Sequence, residues 1–312
     1  MSKKIVVCFG GNALIREGQK GTVYEQFANT RESLEGVVEL IRRGHKIVLT
    51  HGNGPQVGNI VIRTEEAEGK AYYIPLGVAV AESQGEIGYM IEQSLQNKLM
   101  LEKINKKVAT VLTQVICDKD DASIKTPTKP IGPFYGKEKL DDFKEHKIKF
   151  VEDSGRGYRR VVPSPIPLET VEREIIKKLV DSGIIVIACG GGGMPVYVEK
   201  DGRLEGIDGV IDKDLASAVL ATEIQAEEMH ILTSVEKVAL NYNKPNQKFI
   251  DKMTIKEAKK YMKEGHFPSG SMRPKIQASI DFLEKGGKRV VITSINKLVE
   301  GMEGSTGTEI VK

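Results

Sequence analysis

The sequence predicts an α/β fold with a parallel sheet, and three apolar runs that each end in glycine carry that prediction. Ile5-Val6-Val7-Cys8-Phe9 leads into Gly10-Gly11-Asn12-Ala13-Leu14, and Ile47-Val48-Leu49-Thr50 leads into His51-Gly52-Asn53-Gly54-Pro55. Ile184-Ile185-Val186-Ile187-Ala188-Cys189 leads into Gly190-Gly191-Gly192-Gly193. Unbroken apolar runs rich in β-branched residues suit strands buried on both faces better than amphipathic ones. Glycine at the carboxyl end lets the backbone turn sharply and frees amide N–H groups for an anion, and ligands of open α/β sheets sit at that edge. Any one of these could be an ordinary strand-to-loop turn; three together predict a sheet edge with three backbone cradles. None has the Gly-Lys-Ser/Thr ending of a Walker A loop or the full glycine spacing of a dinucleotide fingerprint, so the anion site is of another kind.

Between the first two strands, Leu34, Val37, Val38 and Ile41 fall at helical spacing and Gly44 supplies a stop, which makes a right-handed βαβ crossover. Val57 to Glu68 reads as helix, Ile87, Met90, Ile91 and Leu95 mark another apolar helical face, and Val108 to Cys117 reads as one strand. From Asp118 to Leu168 the texture changes: six of the 12 prolines gather there around the charged stretch Lys137 to Lys149. Proline removes ladder donors and interrupts helices, so residues 118–168 are expected to leave the sheet as an inserted, protruding subdomain. Such an excursion is either a lid or plain exposed chain, and replacing it by a short linker should leave a folded core.

Helical spacing resumes with Val171, Ile175 and Leu179, ahead of the third strand. Lys200-Asp201-Gly202 reads as a hairpin turn between Val196 to Glu199 and Leu204 to Ile207. Met229 to Thr233 reads as a strand, and Thr254 with Glu257 as a capping box for a helix to Lys263. Ile276, Ile280 and Leu283 give a last helix, closed by Gly286-Gly287 and followed by the strand Arg289 to Thr293.

The 46 basic and 43 acidic residues leave a net charge of +3, a balance that argues against a nucleic-acid or membrane surface. Lys3 and Lys4 precede only five apolar residues, too few for a signal peptide, so a cytoplasmic protein is expected. Cys8, Cys117 and Cys189 lie in apolar runs without metal-ligand spacing and read as buried thiols.

Two short stretches carry candidate charge chemistry. Asp212-Lys213-Asp214 has apolar flanks, which favours a partly buried strand end, where a carboxylate could orient the ammonium, over a solvated turn. Gly270-Ser271-Met272-Arg273-Pro274-Lys275 opens the last helix with Pro274 in its first turn, and free N–H groups beside Lys275 would favour a phosphate unless Lys275 simply faces solvent.

With these residues in view, the chain resembles the carbamate kinases of the amino-acid kinase superfamily along nearly its whole length. The resemblance rests on Gly10-Gly11-Asn12-Ala13-Leu14, Thr50-His51-Gly52-Asn53-Gly54-Pro55-Gln56-Val57-Gly58, Pro127-Thr128-Lys129-Pro130 and Asp153-Ser154-Gly155-Arg156-Gly157. Val162-Pro163-Ser164-Pro165, the four-glycine run, Asp212-Lys213-Asp214 and Gly270-Ser271-Met272 complete it. It implies a three-layer α/β/α sandwich, a single domain over 1–312 with the subdomain at 118–168 inserted. The N-terminal half would bind the acceptor and the C-terminal half, about 206–312, the nucleotide.

The implied reaction is reversible phosphoryl transfer between ATP and carbamate, giving ADP and carbamoyl phosphate. Mg²⁺ would accompany ATP/ADP, the reaction would run towards ATP in arginine fermentation, and the protein would be a homodimer. By motif, Lys213 and Lys275 would clamp the phosphates, Asp214 would hold them, and Lys129 would reach in from the subdomain. Gly10, Gly11 and Asn12 would contact the moving phosphoryl group, Gly52, Asn53 and Gly54 the carbamate, and Tyr242 and Met272 the nucleotide; no residue is assigned to a metal. Ser234 stands where much of the superfamily has aspartate, and Arg273 where a smaller or apolar residue is expected. A non-catalytic anion sensor or an acetylglutamate-type kinase could share the loops, but a sensor has no need of Lys213, Asp214 and Lys275 together.

Overall fold

A computed structural model describes residues 2–312 apart from Gly11, Asn12, Glu17, residues 144–147 and 153–156, and Ser269, together with the side chains of Pro133 and residues 141–143. The chain runs through β1 (Lys4–Phe9), α1 (Val23–Ser33), α2 (Glu35–Arg42), β2 (Lys46–His51), α3 (Gly54–Glu66), α4 (Leu76–Leu101) and β3 (Val108–Thr110). It continues with β4 (Gln114–Cys117), α5 (Ala122–Lys125), β5 (Lys129–Tyr135), β6 (Lys149–Glu152), β7 (Tyr158–Val162), β8 (Pro167–Thr170), α6 (Arg173–Asp181), β9 (Ile185–Ile187), β10 (Met194–Val198) and β11 (Leu204–Gly206). The last third holds α7 (Lys213–Glu223), β12 (Glu228–Thr233), β13 (Val238–Leu240), β14 (Lys248–Ile250), β15 (Lys252–Thr254), α8 (Ile255–Lys263), α9 (Met272–Glu284), β16 (Arg289–Ser294), α10 (Leu298–Glu303) and β17 (Thr308–Val311).

The central sheet has eight strands in the order β15-β17-β16-β12-β1-β2-β9-β3. Every pairing in it is parallel except β16 with β17. The three glycine-ended strands β1, β2 and β9 are neighbours, so their loops open along one edge. Strand alternation splits the core in two: Ile5, Val7 and Phe9 pack with α2, α4 and the start of α10, while Val6 and Cys8 pack with α6, α7, α8 and α9. The result is a three-layer α/β/α sandwich on a mainly parallel sheet. Among the described residues no helix is long and apolar enough to cross a membrane.

The structure corrects several local expectations. Val108 to Cys117 is two strands, because residues 111–113 carry the chain from the central sheet into a second sheet, β11-β10-β4-β8. The α6 face is also shifted: Ile176 and Val180 are buried while Ile175 is 56% exposed, and Val171 precedes the helix. Asp212-Lys213-Asp214 follows no strand; Asp212 caps α7, accepting from the N–H groups of Asp214 (3.0 Å) and Leu215 (3.4 Å). The helix at Ile276 is not the last, since α10 and β17 follow it.

The described residues of 118–168 add no strand to the central sheet; β5, β7 and β6 form a separate antiparallel sheet within them. That lobe is nevertheless bound to the rest of the molecule by apolar packing. Its Ile131 and Val162 are buried in one cluster with Val57, Ile60 and Val61 of α3 and Leu76, Ala79 and Val80 of α4. Replacing it by a linker would strip cover from that cluster.

Candidate active site

Three helix N-termini meet at one cleft of about 700 Å³, lined by Gly54 and Pro55 of α3, Lys213 and Asp214 of α7, and Ser271, Pro274 and Lys275 at the start of α9. Each helix start leaves backbone N–H groups without intrahelical partners, so their convergence favours an anion. The α3 start has no side-chain cap, because Asn53 turns its side chain away from the helix and donates from Nδ2 to Ser83 Oγ at 2.8 Å, and the α9 start has none either.

The four-glycine run builds this corner by close approach. Cβ atoms added at Gly190 and Gly191 would stand 2.5 Å from His51 Nε2 and 2.1 Å from Asn53 Nδ2, and Gly191 has φ +64°. Larger residues would push the second loop out of place. His51 is buried there with Nδ1 3.1 Å from Gly52 O, and burial pulls its imidazole down to about 4, so it is neutral and adds no positive charge to the site.

At the centre Asp214 lies between two ammonium groups. Lys213 Nζ donates to Oδ1 at 2.5 Å and Lys275 Nζ to Oδ2 at 2.9 Å. Burial alone would raise the Asp214 carboxyl, but the two positive charges overcome it and hold the group at about 2. Burial works against the Lys213 charge, yet Asp214 holds its ammonium above the ordinary value. Lys275 is pushed down by burial and by the charge of Lys213, against the pull of Asp214. Two cations held this close by one carboxylate form a preorganised site for developing negative charge.

Lys129 reaches the same cleft from β5, where its ammonium stands 3.2 Å from Asp212 Oδ2 with 37% of the side chain exposed. Asp212 thus caps α7 with one oxygen and holds the lobe's lysine with the other, a double role that sequence reading missed. The signal was present, since an aspartate directly before a helical run is a capping pattern. Gly191 of the four-glycine run lines the cleft as its place at the sheet edge led one to expect, and Lys20 and Arg159 line it without having been foreseen. Arg159 donates to Gly132 O at 3.1 Å and stands 5.3 Å over the Phe134 ring, both within the lobe.

A smaller cavity of about 140 Å³ lies beside the cleft, lined by Thr233, Ser234, Ala239, Tyr242, Pro268 and Met272 among others. Ser271 and Lys275 line both spaces and join them. The structure therefore brings together Gly52, Asn53, Gly54, Lys129, Lys213, Asp214 and Lys275 at the cleft, and Tyr242, Met272 and Lys275 at the cavity. Gly10 lines neither; it is buried at the end of β1, where an added Cβ would stand 2.8 Å from Leu232 O. Gly11 and Asn12 lie outside the described residues, as do Asp153 to Arg156. Exposed on the first turn of α9, Arg273 lines neither space, whereas Ser234 stands at the cavity wall. Among the described residues no cluster of three or more His, Cys, Asp or Glu could hold a metal.

The sequence matches the amino acid kinase family over residues 3–294. It is 48% identical to the carbamate kinase of Thermococcus kodakarensis over 99% of both chains, and 48% identical to that of Pyrococcus furiosus over the full length of both. Among solved structures, carbamate kinase from Giardia lamblia bound to AMP-PNP superposes with a TM-score of 0.94 at 39% identity, covering 100% of this chain and 99% of that one.

Proposed function

Because the chain belongs to the amino acid kinase family and, within it, to the carbamate kinases, we propose that it transfers a phosphoryl group reversibly between ATP and carbamate, giving ADP and carbamoyl phosphate. The observation that carries this reading is the junction of the two cavities at Ser271 and Lys275, with Asp214 and Lys213 beside it. A base and ribose in the smaller cavity, against Tyr242 and Met272, would send phosphates past Lys275 into the cleft. There Gly52, Asn53 and Gly54 offer N–H groups to a small planar anion. In this division the C-terminal part of the chain, about 206–312, holds the nucleotide, the N-terminal half holds the acceptor, and the 118–168 lobe covers the cleft.

Phosphoryl transfer through a loose transition state needs positioning and charge compensation more than covalent chemistry. Lys213 and Lys275 supply the compensation, Asp214 keeps them in place, and Lys129 adds a third charge from the lobe. The loop at Gly10, Gly11 and Asn12 is assigned to the transferred group by motif. Asp212 and Asp214 are already committed to lysines and N–H groups, which fits a Mg²⁺ ion held mainly by nucleotide phosphates and water. That ion would neutralise phosphate charge.

Purified protein with Mg²⁺ is expected to make ATP from ADP and carbamoyl phosphate. Activity with acetylglutamate and none with carbamoyl phosphate would overturn the assignment. In the cell we place the reaction in the cytoplasm, carried by a homodimer and running towards ATP during arginine breakdown. Arginine-dependent ATP formation that survives deletion of the gene would refute that placement.

A further inference from the structure

Thr50 is the fifth of the six β2 residues, two before Gly52 and three before Asn53, and its side chain is wholly buried. Its Oγ1 lies 2.7 Å from the Oγ of Ser217, also wholly buried, one turn into α7. Ser217 in turn donates to the carbonyl oxygen of Lys213 at 2.6 Å. A serine hydroxyl has one proton, so in this arrangement the Thr50 hydroxyl must be the donor in the other bond. A directed chain therefore runs from the strand that ends in the acceptor loop to the backbone of a lysine at the phosphoryl site, joining residues 167 apart.

Packing alone does not ask for these hydroxyls. Ile47, Val48 and Leu49 occupy the preceding positions of β2 and are all aliphatic and fully buried. Valine would fill the place of Thr50 with nearly the same shape, and replacing both partners of a buried hydrogen bond by apolar groups of like shape is close to neutral for stability. What valine and alanine would lose is register. A serine bonded to the i−4 carbonyl in the first turn of a helix biases the bend there, and the threonine bond ties that bend to β2.

We propose that Thr50 and Ser217 are a positioning pair that sets the distance and angle between the acceptor loop and Lys213. This rests on the phosphoryl-transfer reading above, in which the two groups must meet across the moving phosphoryl. Neither hydroxyl touches the cleft, so the pair acts through Lys213 and Gly52-Asn53.

The test compares wild type, Thr50→Ser, and the double variant Thr50→Val/Ser217→Ala, in which both partners go and no hydroxyl is orphaned. ATP formation from ADP and carbamoyl phosphate gives kcat and both KM values, and thermal unfolding gives stability. The double variant should keep its melting temperature and both KM values within about twofold while kcat falls roughly tenfold to a hundredfold, the scale of an ångström-level misplacement. Thr50→Ser, which retains the donor, should restore most of kcat. A double variant with wild-type kcat overturns the proposal, as does a loss that appears only in KM or a double variant that fails to fold. Wild type that makes no ATP takes the reaction and the pair down together, whereas an active wild type beside an unimpaired double variant takes down the pair alone.

Discussion

Among the positive charges at the cleft, the paired lysines of α7 and α9 and the lysine of β5 are built in different ways. Lys213 and Lys275 sit at the starts of α7 and α9, share Asp214, and are largely buried on helices whose apolar faces lie in the main core. Lys129 arrives on a small separate sheet, is more than a third exposed, and is held by one ion pair with Asp212. Exposed ion pairs contribute little and are screened by salt, whereas a buried carboxylate between two cations resists displacement. If the proposed reaction holds, the difference makes Lys213 and Lys275 the more rigidly placed charges and Lys129 the more exposed to salt.

Removing a core charge should have the largest effect. Lys213→Met or Lys275→Met keeps most of the stem, and loss of one preorganised donor lowers kcat by roughly 10²- to 10³-fold, about 2.7 to 4 kcal/mol. Circular dichroism should confirm folding in both. A rise in KM for the nucleotide at unchanged kcat would assign these lysines to ground-state binding instead.

Acid should separate the histidines from the lysine trio. His51 is held at about 4 against an ordinary 6.5, and burial also depresses His230. An unfolded chain binds these protons first as pH falls, so the stability they contribute is complete above about pH 6.5. For His51 it is lost between there and about pH 4. For His51, 6.5 minus 4 is 2.5 pH units, about 3 kcal/mol at most. Asp214, at about 2 against 3.8, keeps its contribution until below pH 3.8. Urea titrations at pH 7.5, 6 and 4.5 should show the midpoint falling with pH, and a flat profile would remove the neutral-histidine account.

Weakening the lobe charge should cost less. Lys129→Met is expected to lower kcat/KM about tenfold, about 1.4 kcal/mol, and the difference from wild type should shrink as salt rises. A loss as large as that of Lys213→Met would place Lys129 with the core charges.

The smallest effect calibrates the others. Thr254 and Glu257 form a reciprocal capping box at α8 and line neither the cleft nor the smaller cavity. Thr254→Ala should lower stability by about 1 kcal/mol in thermal or urea unfolding without changing kcat.

Much of the scaffold was legible because it is set by neighbours in the chain. An unbroken apolar run ending in glycine specifies a buried strand and a turn whatever surrounds it, and β1, β2 and β9 formed where those runs lie. The hairpin at Lys200-Asp201-Gly202 and the capping box at Thr254 are likewise short-range chemistry. Periodicity was weaker evidence for α6, since residues 171, 175 and 179 and residues 176 and 180 both repeat every four, and only the sheet beneath selects the phase.

The sequence by itself determined which stretches could end a strand beside an anion and which lysines could serve there. Tertiary structure decided that β1, β2 and β9 lie side by side, and that Asp214 meets Lys275 across 61 residues and Asp212 meets Lys129 across 83. Those meetings depend on strand order and on which helix faces share a core, and both follow from burying all the apolar faces at once. No local pattern encodes that joint solution, so the pairings of Asp214 with Lys275 and of Asp212 with Lys129 exist only once the sandwich has closed.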